Sequence, residues 1–550
     1  VKPPRFSHYA AFALLPTLLL SLGNGVPLRA SASLQGKSDA KLSPQERAAL
    51  EAITADSLRG RLSFIASDAL EGRDTPSPGL DIAAEYIASE FRRAGLEPLN
   101  PDAGKEGYFQ NAHYLTTARD PAQTALVIGS PGKESVKVGG KELLVQTLPA
   151  GALDAAAARA IKVPLGDTAV LNALTAAQVA GNMVCTEYPQ GKTREERMQG
   201  FQAYRQFLEK IAPLKPAMVL FLDRGKSVSR TPRTPLRSAE DSASRGAQGT
   251  RNPSQETGIS QVIAYTDELG RWYDGLKPGD ILEIPVRLQV PAPVDRPVRL
   301  RNVAGILRGS DPAVKDSYIL VTAHYDHLGV AAGDGENGDR IYNGANDDGS
   351  GTVSVVEIAA ALAKINPRPK RSIVFMTFFG EEKGLLGSRY YGRHPLVPLE
   401  KTIAQINLEQ IGRTDDSEGP RVSAATVTGF DYSDVGATLA QAGTLTGIKV
   451  EKHPVFSDTY FGRSDNQALA DLGIPAHTVS VAYSFPGYHG LDDEWDKVDY
   501  PNMAKVARMA AAGVLLLADT STAPRWNADN PKAARYREAW QTRHPQEKGE

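Results

Sequence analysis

From Val298 onward the chain alternates short, almost wholly apolar runs with stretches of helical periodicity. The runs "VRLRNVAGIL", "YILVTAH", "SIVFMTFF", "TIAQINLEQIG" and "GIPAHTVSV" read as strands, and "TVSVVEIAAALAKI" reads as a helix among them. A run such as Ile373 to Phe379 has no polar face, which suits a strand covered on both sides in a parallel sheet. Strands alternating with helices predict an α/β fold with a mostly parallel central sheet and helices on both faces. Upstream, "SPGLDIAAEYIASEFRRAGLEPLN" places Ile82, Tyr86, Ile87 and Phe91 at helical spacing and stops at Gly95, so an amphipathic helix is predicted there. Between these regions the texture changes. From about Thr116 the chain shows short alternating stretches such as "TALVIG", "NMVCTEY" and "PAMVLFLDR", with one helix in "TREERMQGFQAYRQFLEKIAP". These predict an inserted β-rich domain with few helices.

The resulting domain plan is an α/β domain in two pieces, 33–115 and 296–520, interrupted by an insert at 116–295 and followed by a peripheral tail at 521–550. Within the insert, residues 226–258 lack apolar periodicity and are expected to form a mobile surface loop. No repeat of solenoid or propeller period is present.

Charge and cysteine content narrow the picture. The chain has 62 basic and 64 acidic residues among 550 and no long block of one sign, so electrostatics give no case for nucleic acid or an anionic membrane as partner. Lys2 and Arg5 precede the apolar stretch "YAAFALLPTLLLSLGNGV", and Ala30-Ser31-Ala32 follows. That order reads as a secretory signal peptide over 1–32, which predicts a secreted or periplasmic protein with no stable membrane association after cleavage. Cys185 is the only cysteine, which excludes an internal disulfide framework and a thiolate metal cluster.

Open α/β sheets bind ligands beyond the carboxyl ends of their strands. There the chain places His324-Tyr325-Asp326-His327, then Asp347 and Asp348 between glycines, then Glu381-Glu382, Glu409 and, in "SFPGYHGLDDEWD", His489. Each has an ordinary explanation alone, as a turn, a cap or a hydrogen-bonded histidine. Together they set several carboxylates after buried strands, where mutual repulsion calls for a shared cation. Imidazole nitrogen with carboxylate oxygen and no sulfur suits zinc or a similar divalent ion.

The stretches "VTAHYDHLG", "GANDDGSG", "FFGEEKGLLGS", "NLEQIGR" and "GYHGLDDEWDKVD" resemble, in order and spacing, the five motifs of the zinc-dependent aminopeptidases with two co-catalytic metals. The resemblance covers residues 58–110 and 296–515, and the insert is similar in texture to a protease-associated domain. It implies that Asp347 bridges two zinc ions, that His324 and Glu409 complete one site, and that Glu382 and His489 complete the other. It further implies Glu381 as general base, Asp326 as the residue orienting a ligand histidine, and Tyr488 as a holder of the carbonyl oxygen in the transition state. Position 409 is Glu where the commonest pattern has Asp. The implied function is removal of amino-terminal residues from a peptide substrate. Alternatives on the same scaffold are a carboxypeptidase, a glutaminyl cyclase, or a receptor-like binding ectodomain. The insert is read either as a lid or specificity module or as a structural insertion.

Overall fold

The structure is a computed structural model that describes residues 41–545 except 146–150, 192–193, 226–235, 241–258 and 332–337. The expected signal peptide lies outside the described residues.

The centre of the larger sheet is four parallel strands, in the order Ser372–Phe378, Tyr318–His324, Thr402–Leu408 and Ala476–Ser480. Their composition explains their place. Along Tyr318–His324, Ile319, Val321 and Ala323 enter one hydrophobic core while Leu320 enters another, and Phe375 and Val374 of the neighbouring strand divide the same way. Because side chains alternate across a strand, an unbroken apolar run needs two cores. The first core is closed by the helices Ala55–Ile65, Pro78–Arg93, Ser350–Leu362, Asp434–Thr446 and Tyr500–Asp519. On both sides the next strand joins this centre antiparallel: Val294–Leu307 pairs with Ser372–Phe378, and Ala424–Val427 pairs with Ala476–Ser480. The α/β fold class is as the sequence predicts, with the parallel pairing concentrated at the centre.

Among the described residues the second sheet has eight strands, drawn from residues between Ala125 and Val290. Its central strands Leu153–Lys162, Met183–Glu187, Met218–Leu222 and Ser260–Ala264 run parallel, and it holds two cores of its own. The helix Arg194–Ile211 enters one of these cores through Phe207 and Ile211, and the shorter helix Asp267–Asp274 enters the other through Leu269 and Tyr273. Chain entry and exit are adjacent: Phe109–Ala118 and Val294–Leu307 of the larger sheet are antiparallel partners, with Ala118 facing Val294.

Two expectations need correction. Residues 236–240, inside the expected mobile loop, are ordered: Leu236–Ser238 forms an edge strand on Phe109–Ala118, and Arg237 pairs with Asp295. A sheet edge offers unpaired backbone groups to any short segment within reach, whatever its apolar pattern. Residues 521–545 are not a peripheral tail. Trp526 and Tyr536 are 5% and 3% exposed, and Trp526 Nε1 donates to the Gly473 carbonyl at 2.6 Å. High charge in the helix Ala534–Arg543 masks the few aromatic residues that anchor it.

Candidate metal centre

The four parallel strands end on one side, and the segments leaving them are cross-linked by buried polar side chains. His324 is the last residue of its strand. Its backbone N–H donates to Asp348 Oδ2 at 3.3 Å, while Asp348 Oδ1 accepts from Gly351 and Gln410 at 3.0 and 3.2 Å. One carboxylate thus joins a strand end, a helix start and the segment after Glu409. Asp493 does the same for Asp347, accepting from the backbone N–H groups of Asn346 and Asp347 at 2.9 and 3.0 Å. Arg73 is fully buried and donates to the carbonyls of Ile65, Tyr325, Asn343 and Gly344 at 2.6–3.0 Å. It ties the His324–His327 segment to the loop leading into Asp347. Burial lowers its pKa to about 10 against the pull of Asp326, Asp493, Asp348 and Asp347, so the guanidinium stays charged.

On this frame the side chains converge. Asp347 lies between two histidines, with Oδ1 3.4 Å from His324 Nε2 and Oδ2 3.2 Å from His489 Nε2. Glu382 Oε1 is 3.0 Å from His327 Nδ1 and 3.3 Å from His489 Nε2. Glu381 turns to the other side, with Oε2 3.9 Å from His324 Nε2. Two groups of donor atoms lie close enough to share an ion each: His324, Asp347 and Glu409, and His327, Asp347 and Glu382. Asp326 accepts from the Glu381 backbone N–H at 3.1 Å and from the Thr75 hydroxyl at 3.1 Å. Its carbonyl oxygen is 3.2 Å from His324 Nδ1 and its carboxylate 3.5 Å. Tyr488 is 47% exposed and stacks on His489, with ring centroids 4.1 Å apart. A cavity of about 320 Å³ opens here, with Asp347, Glu381, Glu382 and Glu409 on its floor and Tyr460, Tyr483 and Tyr488 among its walls.

The electrostatics are those of crowded carboxylates. Burial pushes the Glu381 carboxyl well above its ordinary pKa, with Glu409 and Glu382 adding to the push and His324 opposing it. Burial likewise carries Glu409 up to about 8, against the pull of His324 and with help from Asp347. Burial and Asp347 both act to raise Glu382, yet the adjacent His327 and His489 hold it at about 2. Burial opposes a charged His489, but Asp347 and Glu382 carry it up to about 10.

The donor set fits a divalent metal. His324 Nε2, both ring nitrogens of His327, Glu382 Oε1 and Glu409 Oε2 are buried with no hydrogen-bond partner. Leaving so many polar atoms unpaired costs roughly 1–3 kcal/mol each unless something else engages them. Nitrogen and carboxylate oxygen without sulfur is a donor set that zinc accepts.

Of the residues singled out from sequence, His324, Asp347, Glu381, Glu382, Glu409, His489 and Asp326 are brought together, and Tyr488 stands at the rim. His327, Asp348 and Asp493 stand in the same motifs without an assigned role, and Arg73 lies outside the five motifs. Only their backbone partners, far away in sequence, reveal what they do.

Residues 302–514 match the sequence model of Peptidase family M28. Among curated proteins, a "probable leucine aminopeptidase 2" of Aspergillus oryzae is 29% identical over 219 residues, covering 38% of this chain and 37% of that protein. A "probable zinc metalloprotease" of Pyrenophora teres f. teres is 35% identical over 123 residues, covering 22% and 25%. A "vacuolar membrane protease" of Pyricularia oryzae is 37% identical over 94 residues, covering 17% and 8%. The chain thus spans well under half the length of these relatives. Among solved structures, a zinc aminopeptidase from Bacillus subtilis shares the fold with a TM-score of 0.53 at 19% identity, covering 86% of this chain and 97% of that one. An aminopeptidase from Aneurinibacillus sp. strain AM-1 does so with a TM-score of 0.51 at 19% identity, covering 88% and 97%. Motif order and strand-end geometry agree with this match of residues 302–514 to Peptidase family M28.

Proposed function

We propose that the protein is an exported zinc aminopeptidase that uses two zinc ions to hydrolyse the amino-terminal peptide bond of its substrate. The observation that carries this reading is Asp347, whose two carboxylate oxygens face different histidines at 3.4 and 3.2 Å, each within a cluster of unpaired donor atoms. His324 and Glu409 would hold one ion with Asp347, and Glu382 and His489 the other. Bound zinc supplies Lewis acidity, which lowers the pKa of water and polarises a carbonyl.

The remaining chemistry belongs to the chain. Glu381, directed to the His324 side, accepts the proton of the attacking water at a carboxylate oxygen and returns it to the departing amine. Asp326 holds the Glu381 backbone and the His324 ring at once, so base and ligand keep their separation. Tyr488 at the rim donates its hydroxyl toward the carbonyl oxygen, and the carboxylate floor receives the substrate's free amine. Glu409 reaches further than an aspartate would, which adjusts affinity at its site. The insert acts as a protease-associated lid or specificity module, and the amino-terminal segment directs export to the periplasm or medium.

Chelation should abolish hydrolysis and added zinc should restore it, with two zinc ions bound per chain. Acetylating a substrate's amino terminus should block cleavage, whereas amidating its carboxyl terminus should not. Turnover after verified metal removal would end the metallopeptidase reading. Cleavage of acetylated but not amidated peptides would make the protein a carboxypeptidase, and conversion of amino-terminal glutamine without hydrolysis would make it a cyclase.

A further inference from the structure

We propose that His327 is a metal ligand in addition to the residues named above, so that the two ion positions are unequal. One is held by four side chains, His327, His489, Glu382 and Asp347; the other by three, His324, Glu409 and Asp347. This rests on the zinc reading of the site.

His327 is completely buried, and neither ring nitrogen has a hydrogen-bond partner. Its Nδ1 lies 3.0 Å from Glu382 Oε1, an oxygen that is also without a hydrogen bond, so the two atoms approach without the alignment a hydrogen bond requires. His489 Nε2 reaches the same oxygen at 3.3 Å from another direction, and the two imidazole rings stand 5.8 Å apart at 73°. Donor atoms that converge without bonding one another are placed to share a cation. The ring is also held firmly. The His327 N–H donates to the Arg73 carbonyl at 3.2 Å, and the backbone of Gly344 presses on the ring so closely that a Cβ there would stand 2.3 Å from His327 Cγ. Gly344 has a positive φ of 57°, and Arg73 donates to its carbonyl. Thus the loop that carries Asp347 and the ring of His327 are fixed against each other.

Coordination number then separates the roles. Four protein donors complete a tetrahedral zinc site, whereas three leave a position for water and substrate. The His327 position would therefore bind zinc tightly and serve as the fixed charge, and the His324 position would be the exchangeable one where hydrolysis occurs.

X-ray absorption at the zinc edge of the wild-type protein, loaded with zinc chloride alone, tests this without any variant. Three imidazoles shared between two zinc ions are expected, falling to two in His327→Gln. Calorimetric titration of metal-free protein should show two unequal affinities. In His327→Gln the tighter one should weaken by more than the roughly 10- to 100-fold that loss of a merely orienting partner costs. Two imidazoles per two ions in the wild type would overturn the proposal and leave the metallopeptidase reading standing. So would a folded His327→Gln with unchanged zinc affinity. A chain that takes up no divalent metal would overturn both.

Discussion

Glu381 and Glu382 are neighbours in sequence and opposites in the site. Glu382 lies against His327 and His489, and Glu381 against His324. Glu381→Gln should therefore keep its zinc and bind substrate while losing about 10² to 10⁴ in kcat, the usual contribution of a general base. Glu382→Gln should instead bind less zinc. Metal analysis with steady-state kinetics separates the two, and a Glu381→Gln enzyme of near-normal kcat would refute the division. The ionisable groups around them set a pH dependence. Glu409 at about 8, His489 at about 10 and Asp493 at about 6 all lie above their unfolded values near 4 for carboxyls and 6.5 for histidine. Each such group binds its proton more tightly when folded, so its stabilising share is present at low pH and lost as pH rises through the folded pKa. Glu382, at about 2, acts in the opposite sense, but only below about pH 4.5. Metal-free protein should thus lose stability from pH 5.5 to 9, and zinc should remove that loss by stabilising the ionised ligands. Thermal melts of both forms across this range check it; a flat metal-free profile would contradict it.

At the scale of elements, two segments differ from the reading of the pattern, and they differ in weight. The edge strand Leu236–Ser238 is fastened by backbone pairing and by the exposed Arg237–Asp295 contact. Exposed ion pairs contribute little, so Arg237→Ala should cost under about 1 kcal/mol. Trp526 is another matter: its ring lies 5.0 Å from Tyr536 and 5.7 Å from His477, inside the core that also takes Leu320 and Val374. His477 precedes Thr478, which lines the cavity, so this anchor also supports the site wall. Trp526→Ala should cost about 3–5 kcal/mol. Denaturant unfolding of the two variants ranks them, and equal effects would show that the terminal helix is only loosely attached.

The whole molecule is organised around the pair Ala118 and Val294, register partners through which the chain leaves the larger sheet and returns. Facing residues in an antiparallel pair sit about 4.5–5.5 Å apart, a gap that a two-residue Asn-Gly turn can close. Replacing residues 119–293 with such a turn should leave a cooperatively folding protein that binds zinc as the full chain does. The edge strand at Leu236 would be lost, and with it whatever selectivity the insert gives toward large substrates. Hydrolysis of small amino-acid amides should persist while that of long peptides changes. Failure of the shortened chain to fold would show that the second sheet is part of the catalytic core.

Much of this architecture was already legible one residue at a time. Runs such as Ser372–Phe378 lack a polar face, and only a doubly covered strand tolerates that, so the α/β sheet follows from local composition. The carboxylates and histidines at the strand ends follow as well, because a strand's direction decides which end carries its next residue. What composition could not decide were the partners. Arg73 reads as one more surface cation until its guanidinium is seen to donate to carbonyls 252 and 271 positions away. His327 reads as a motif spectator until burial leaves both of its nitrogens without a partner beside Glu382. Asp348 and Asp493 acquire their roles only from backbone N–H groups brought to them by distant segments. Local pattern determines which atoms are chemically able to act, since that is a property of residue type. Tertiary structure determines which of them are deprived of water and of one another's hydrogen bonds, and that deprivation is what makes a metal site.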